Sequence, residues 1–142
     1  MFKSDMPRMI PIDTFSFPDA VGSWTIEKNR VDIYGVFYMY FDRLKAENDY
    51  LRFEGSSYDR LGPALVSGAL TKEKASFVKV YIKGSEMTSC DALDGRVIFE
   101  GHRVEDHYEG LYREEKGKEN PGKRFVLKIS DKLLKQLETS EN

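Results

Sequence analysis

Apolar and polar residues alternate along most of the chain, and this pattern predicts half-buried β-strands. Eight segments are rich in β-branched or aromatic residues and are bounded by turn-forming residues. The predicted strands are 22–28, 31–41, 49–54, 63–70, 75–82, 92–99, 103–113 and 124–129. The predicted turns include Lys28-Asn29, Glu54-Gly55, Thr71-Lys72-Glu73-Lys74, Lys83-Gly84-Ser85, Gly101 and Asn120-Pro121-Gly122.

Eight strands with short links predict an all-β fold, an eight-stranded antiparallel up-and-down β-barrel, because closure removes exposed sheet edges. One helix is predicted at 131–138, where Ser130 or Asp131 can cap it and three leucines share a face. About two turns of helix are unstable alone, so this helix should pack on the barrel. Residues 1–20 hold three of the five prolines and should form an N-terminal arm, which leaves 21–142 as one domain.

Composition excludes several classes of protein. The 22 basic and 24 acidic residues give a net charge of −2, which leaves no electrostatic footprint for nucleic acid. Cys90 is the only cysteine, so no intramolecular disulfide forms and a reducing compartment is expected. The longest apolar run, 36–41, is far shorter than a membrane span, and the N-terminal residues lack a signal-peptide core. We therefore expect a cytoplasmic protein that binds neither nucleic acid nor membrane.

The strand predicted at 31–41 is apolar on both of its faces. One face carries Ile33, Phe37, Met39 and Phe41, and the other carries Tyr34, Val36, Tyr38 and Tyr40. A strand of this kind needs a cover outside as well as inside the barrel. The N-terminal arm, the C-terminal helix or a second subunit can supply that cover, so a homodimer is among the expected partners.

The first strand begins with Gly22-Ser23-Trp24. Trp24 either forms the floor of a ligand cavity or plugs one end of the barrel as part of the core, and these two roles are compatible.

Phe77, Lys79 and Tyr81 alternate and therefore share one face of their strand. If that face points inward, Lys79 is a partly desolvated cation that can bind a carboxylate, a phosphate or a tyrosine oxygen. If it points outward, Lys79 is an ordinary solvated lysine. An inward Lys79 can equally pair with Asp59 or Glu109 as part of the fold.

Tyr108 and Tyr112 share a face of the seventh strand, with Gly110 between them. Their hydroxyls either enter a cavity or belong to cross-strand packing.

Catalytic and metal-binding patterns are weak. His102 and His107 face opposite ways on a continuous strand, and Asp106 lies about 13 Å from His102 along it. No serine lies in a nucleophile elbow, and Cys90 has no base near it in sequence. The sequence therefore predicts no catalytic residues, no metal site and no cofactor, and it favours binding over enzymatic activity.

A set of spaced residues between 22 and 129 resembles small lipocalin-like (calycin-type) β-barrel domains of largely uncharacterised function. The set is Phe53-x-Gly55, Asp59-x-x-Gly62, Gly68, Phe77-x-Lys79-x-Tyr81, Leu93-x-Gly95, Tyr108-x-Gly110-x-Tyr112 and Gly122-x-x-Phe125. Tyr112 stands where a tryptophan is usual in those domains, and Leu93 stands where a tyrosine is usual. The resemblance implies the barrel and an inward Lys79, and it implies no particular ligand.

Two functions remain open. The first is non-catalytic binding of a small apolar or amphipathic molecule in the lumen, since barrels of about eight strands have room for side chains or one small ligand. Its predicted lining is Trp24, Phe77, Lys79, Tyr81, Tyr108 and Tyr112. The second is protein–protein interaction or homo-oligomerisation by a barrel with a filled lumen. A lumen void above roughly 300 Å³ would favour the first.

Overall fold

The computed structural model describes residues 17–82, 96–115 and 120–139. The elements are β1 (Ala20–Lys28), β2 (Val31–Glu47), β3 (Tyr50–Asp59), β4 (Gly62–Thr71), β5 (Lys74–Tyr81), β6 (Arg96–Val104), β7 (His107–Glu114), β8 (Arg124–Ile129) and α1 (Asp131–Thr139). Each strand pairs antiparallel with its neighbours in sequence, and β1 pairs with β8 to close the sheet. The predicted eight-stranded up-and-down barrel is confirmed.

The lumen is filled by aromatic side chains from alternate positions of the strands. The Phe77 and Phe99 rings stack with centroids 4.6 Å apart, and Phe125 meets Phe99 edge-on at 5.2 Å. Phe37 and Phe53 pack around this pair at 6.5 and 6.2 Å from Phe77. All five rings are buried. Because aromatic side chains carry large apolar areas, this cluster provides much of the hydrophobic stabilisation of the barrel.

The helix α1 packs at the barrel end where β1 begins and β8 ends. Leu133 and Leu137 are buried in the same core as the lumen rings. The Ser130 hydroxyl accepts a hydrogen bond from the Leu133 N–H at 3.3 Å, so Ser130 rather than Asp131 caps the helix. We call this the helix end. At the opposite end, the tryptophan end, Trp24 packs against the core and the strands β3, β5 and β7 finish.

Two segments predicted as turns, Glu54-Gly55 and Gly101, lie inside strands. The structure carries β3 through Glu54 and Gly55 to Asp59, and it carries β6 through Gly101 to Val104. Gly55 lies opposite the β-bulge between Phe41 and Arg43, where a Cβ would overlap the Tyr40 carbonyl. Both glycines permit close backbone approach within the sheet, which a sequence pattern cannot distinguish from a turn.

The real turn between β6 and β7 is Glu105-Asp106, where Glu105 has a φ of 59°. Gly101 pairs with Gly110 across these two strands, and a Cβ on Gly110 would overlap the Glu100 carbonyl.

Of the other elements, β2 runs six residues beyond its predicted end at residue 41, to Glu47, and the first turn is shifted by one residue from the predicted Lys28-Asn29. The β1–β2 turn is Asn29-Arg30, with φ values of 54° and 65°, which are the positive values that a two-residue hairpin needs. The turns at Thr71–Lys74 and Asn120–Gly122 form where predicted. Residues 1–16 of the predicted arm, the Lys83-Gly84-Ser85 turn and residues 92–95 lie outside the described residues.

Candidate functional site

Three polar side chains meet inside the tryptophan end of the lumen. Lys79 points inward, as the resemblance implied, and its Nζ lies 3.2 Å from Asp59 Oδ2. Tyr81 donates a hydrogen bond of 2.6 Å to the same oxygen. The other carboxylate oxygen, Oδ1, accepts the Leu61 N–H at 2.8 Å. The Lys79 and Asp59 side chains are each 1% exposed, so the pair is shielded from water and the two charges offset one another.

Strand register explains why residues about 20 positions apart meet. Asp59 is the last residue of β3, and Tyr81 is the last residue of β5, with β4 between them. On β4 the intervening residue is Ala64, which pairs with Tyr81 on one side and with Ser57 on the other. Because alanine is small, it leaves space above β4 for the Tyr81 ring to reach the carboxylate. Of the two partners predicted for an inward Lys79, the structure selects Asp59 and leaves Glu109 on the outer surface.

The surroundings of Lys79 are aromatic as well as ionic. Its Nζ lies 4.0 Å from the centroid of the Phe37 ring and 5.3 Å from that of Phe99, so two ring faces help to stabilise the ammonium group. Burial lowers the pKa of Lys79, and the Asp59 carboxylate opposes that shift. Burial, reinforced by Asp59, raises the pKa of Tyr81. Tyr81 therefore remains a hydrogen-bond donor at physiological pH, and the cluster forms a closed network of neutral total charge.

A small cavity of about 70 Å³ adjoins this network. It is lined by Trp24, Leu61, Lys79, Tyr81, Val97, Phe99 and Tyr112. The Arg60 guanidinium lies 5.5 Å from the centre of the Trp24 ring at this end of the barrel. A void of this size holds a few water molecules and is far below the several hundred Å³ of a ligand pocket.

Four of the six residues predicted to bind a ligand line this cavity: Trp24, Lys79, Tyr81 and Tyr112. Phe77 lies deeper, in the ring stack of the core. Tyr108 lies at the helix end, where its hydroxyl donates to the Thr71 carbonyl at 2.6 Å. Burial raises the pKa of Tyr108 to about 12. The alternation of Tyr108 and Tyr112 places them on one face, as predicted, but at different levels of the lumen.

The predicted lining left out several lumen residues: Leu61, Val97 and Phe99, which line the cavity, and Ser57. Ser57 is fully buried, and its hydroxyl finds no hydrogen-bond partner among the described residues. It points inward from β3 in the same cross-strand row as Ala64 and Tyr81. A serine within a strand carries no signal of burial, so only the register reveals it.

The outer surface contains a second candidate site. Five adjacent strands, in the order β2-β1-β8-β7-β6, surround a groove of about 770 Å³. Its apolar lining comes mainly from Tyr34, Ile98, Leu111 and Val126, and its charged lining comes from Asp32, Glu100, Glu109, Arg113 and Arg124. Arg124 Nη2 lies 3.6 Å from Asp32 Oδ2. The volume of this groove exceeds that of the lumen cavity about elevenfold.

Exposed apolar side chains lie on four of these five strands. They include Tyr34, Val36 and Tyr38 on β2, Val21 on β1, Val126 on β8 and Leu111 on β7. Val21 pairs with Tyr38 and Ser23 with Val36, while Ser23 also pairs with Val126 on the other side. The residues therefore form one contiguous patch, which we call the outer apolar face. Leu111 and Val126 were not singled out by the sequence, because alternation places them on an outer face without showing which strands lie beside them.

The two histidines lie apart from the lumen. His107 Nε2 lies 2.7 Å from Glu109 Oε2, and its Nδ1 lies 3.3 Å from Asp106 Oδ1. These two carboxylates raise the pKa of His107, with the bond to Glu109 as the largest cause. Lys128 Nζ approaches Asp106 at 3.5 Å. Within the described ranges, no three histidine, cysteine or acidic side chains converge to hold a metal ion.

Comparisons of the chain with protein-family models, curated proteins and solved structures returned no significant match. No helix in the part of the chain that the structure describes is long and apolar enough to span a membrane. The chain is therefore classified by its fold alone, an all-β closed barrel with one short C-terminal helix.

Proposed function

We propose that the protein is a cytoplasmic protein-interaction module: a lipocalin-like (calycin-type) barrel that uses its outer apolar face and keeps its lumen filled. The observation that carries this proposal is the distribution of apolar surface. Inside, aromatic rings occupy the lumen and leave a void of about 70 Å³. Outside, six exposed apolar side chains lie close together, and three of them, Tyr34, Leu111 and Val126, line a groove of about 770 Å³.

The outer apolar face has the anatomy of a protein interface. Its apolar residues include Tyr34, which is 68% exposed and belongs to a residue type enriched among interface hot spots. Charged groups lie among them: Arg124 stands between Tyr34 and Leu111 in one cross-strand row and pairs with Asp32, and the Lys128–Asp106 pair lies nearer the helix end. Tyrosine and arginine beside exposed aliphatic residues are typical of surfaces that bury against another protein. Isolated soluble domains rarely leave contiguous apolar patches of more than a few hundred Å² uncovered.

Native mass spectrometry of protein purified from its own host tests this function. We expect a protein assembly without a stoichiometric small-molecule adduct. Tyr34→Ser should release the assembly partner, because it removes the most exposed ring of the face. Leu65→Ser is the matched control, since Leu65 is 52% exposed but lies on β4, outside the five strands of the face. A monomer carrying one equivalent of a small molecule would overturn the proposal.

A second candidate function is ligand binding at the tryptophan end. Its support is that four of the six predicted ligand-binding residues line one cavity beside the Lys79 ammonium group. A ligand larger than a few atoms would have to displace Trp24 and Arg60. The same mass spectrum distinguishes the two functions, because a ligand held there appears as an adduct that survives Tyr34→Ser and is lost on Trp24→Ala.

A further inference from the structure

We infer that the partner of the outer apolar face is a second copy of this chain, held in a closed two-fold dimer whose barrels cross. This inference rests on the proposed function and names its partner. Three features of the face carry it: its curvature, its charge and its extent.

The outer wall of the barrel is curved in two directions. A closed barrel has a hyperboloid wall because its strands twist, so the outer surface is convex around the barrel and concave along it. The groove of about 770 Å³ lies on this wall and extends across five neighbouring strands. Two identical saddles fit when one is turned by about 90° relative to the other, because each convex direction then enters the concave direction of its partner.

That fit is compatible with closed symmetry. A two-fold axis that lies in the contact plane at about 45° to the barrel axis exchanges the two directions of the saddle and turns the face over. The operation returns to its starting point after two copies, so it yields a dimer rather than a fibre. A purely convex face has no such self-complementary arrangement.

Charge favours a copy over a strongly charged partner. The face carries both signs close together, as in the pair of Arg124 and Asp32 at 3.6 Å. Glu109 and Arg113 alternate with Leu111 along β7. A partner of one sign would meet like charges at half of these positions, which is costly at an interface. A second copy presents the same balanced set, so each basic group has an acidic group available across the axis.

The extent of the face is that of a modest interface. Five strands spaced about 4.8 Å apart cover roughly 24 Å around the curved wall, and about six residues of each strand give a height of roughly 20 Å. The resulting area of roughly 500 Å² is below the ~800 Å² that each partner contributes to a typical stable complex, so we expect a dimer that dissociates on dilution. Tyr34 stands on the margin of the groove with its ring exposed, so in the crossed dimer it enters the groove of the partner.

Sedimentation velocity of the purified full chain, from about 1 to about 100 μM, tests the inference across the range in which such a dimer dissociates. We expect a species of twice the 16.4 kDa chain and nothing larger at the highest concentration. Tyr34→Asp and Val36→Lys should each raise the dimer dissociation constant at least ~10-fold, since each places a charge at the centre of the interface. Leu65→Asp should leave the dimer intact, and circular dichroism should show all three variants folded.

The other outcomes separate this inference from the proposed function. A monomer at every concentration overturns the inference that the partner is a second copy. The proposed interaction function still stands in that case if protein purified from the host carries a different protein that Tyr34→Ser releases. A dimer that tolerates both Tyr34→Asp and Val36→Lys uses another surface and overturns the inference. Species larger than a dimer contradict the closed symmetry. A monomer with no partner from the host overturns both.

Discussion

A lysine in an apolar lumen is tolerated only where another group compensates its charge. Lys79 has the Asp59 carboxylate at 3.2 Å and an aromatic face at 4.0 Å. Removing one member of such a pair leaves an uncompensated buried charge, whereas replacing both members often costs little. The Tyr81 hydroxyl and the Leu61 N–H keep the carboxylate in place, so the network also fixes how β3 and β5 meet across β4.

Asp59→Asn should therefore destabilise the protein by about 3–5 kcal/mol, because it leaves the Lys79 ammonium group buried without a countercharge. The double variant Asp59→Asn/Lys79→Met should lose less than the two single variants together, by ~1–3 kcal/mol of coupling. Urea denaturation of the four proteins gives these values.

The exposed pair of Arg43 and Glu54, which lie 3.8 Å apart, is the control for that cycle. Glu54→Gln should leave the denaturation midpoint unchanged, because solvent screens exposed ion pairs. If Asp59→Asn were as well tolerated as Glu54→Gln, the buried ion pair would have no role in stability.

At the scale of elements, the position of a turn decides which side chains of neighbouring strands come together. The β6–β7 hairpin turns at Glu105-Asp106 rather than at Gly101, and this shift places His107 at the start of β7. His107 then lies between Asp106 and Glu109, while Lys128 of β8 reaches Asp106. This set of charges links the hairpin to its neighbouring strand.

This link should make stability depend on pH. The pKa of His107 is raised above 6.5 in the folded protein, so its contribution is complete below pH 6.5 and is lost as pH rises through the folded-state pKa. His107→Gln should lower the free energy of unfolding at pH 5.5 by less than about 1 kcal/mol, since solvent screens these pairs, and should have no effect at pH 9. Urea denaturation at both pH values measures the difference.

A His107→Gln effect of equal size at both pH values would show that the side chain acts by packing rather than by charge.

At the scale of the whole molecule, filling the lumen and exposing an apolar outer face are connected. Rings from five different strands meet in the lumen, so the interior stabilises the barrel and leaves little space for a ligand. The remaining apolar residues of β2, β1, β8 and β7 lie outside. The barrel is therefore stabilised from within and carries exposed apolar side chains on its outer wall.

Enlarging the lumen by mutation should create an apolar binding site deep in the core. Phe77→Ala removes the ring that stacks on Phe99 and should destabilise the protein by about 3–5 kcal/mol. The resulting apolar cavity should bind indole, which would raise the melting temperature of the variant and leave that of the natural protein unchanged.

Phe77→Leu leaves a smaller void, remains foldable if the alanine variant does not, and should respond to indole less than Phe77→Ala. A rise in the melting temperature of the natural protein with indole would show that its lumen is already open.

Much of this architecture was encoded locally. Alternation along 22–28 and 124–129 divided each of these strands into two faces, and the turn predicted at Lys28-Asn29 lies one residue before the observed Asn29-Arg30 turn. The local sequence led to wrong predictions at two glycines, because a glycine is favoured both in turns and at close contacts between strands. Gly55 and Gly101 resemble turn residues in sequence, yet both lie in strands because the neighbouring backbone approaches too closely for any side chain.

By itself, the sequence determined the closed barrel, its single capped helix and the shared face of Phe77, Lys79 and Tyr81, because these depend on spacing along the chain. The tertiary structure decided that this face points inward, that Asp59 rather than Glu109 meets Lys79, and that Tyr34, Leu111 and Val126 join in one outer face. Those outcomes depend on the register between strands and on which strands become neighbours when the barrel closes. Alternation gives each strand two faces, and only closure of the sheet assigns one of them to the core.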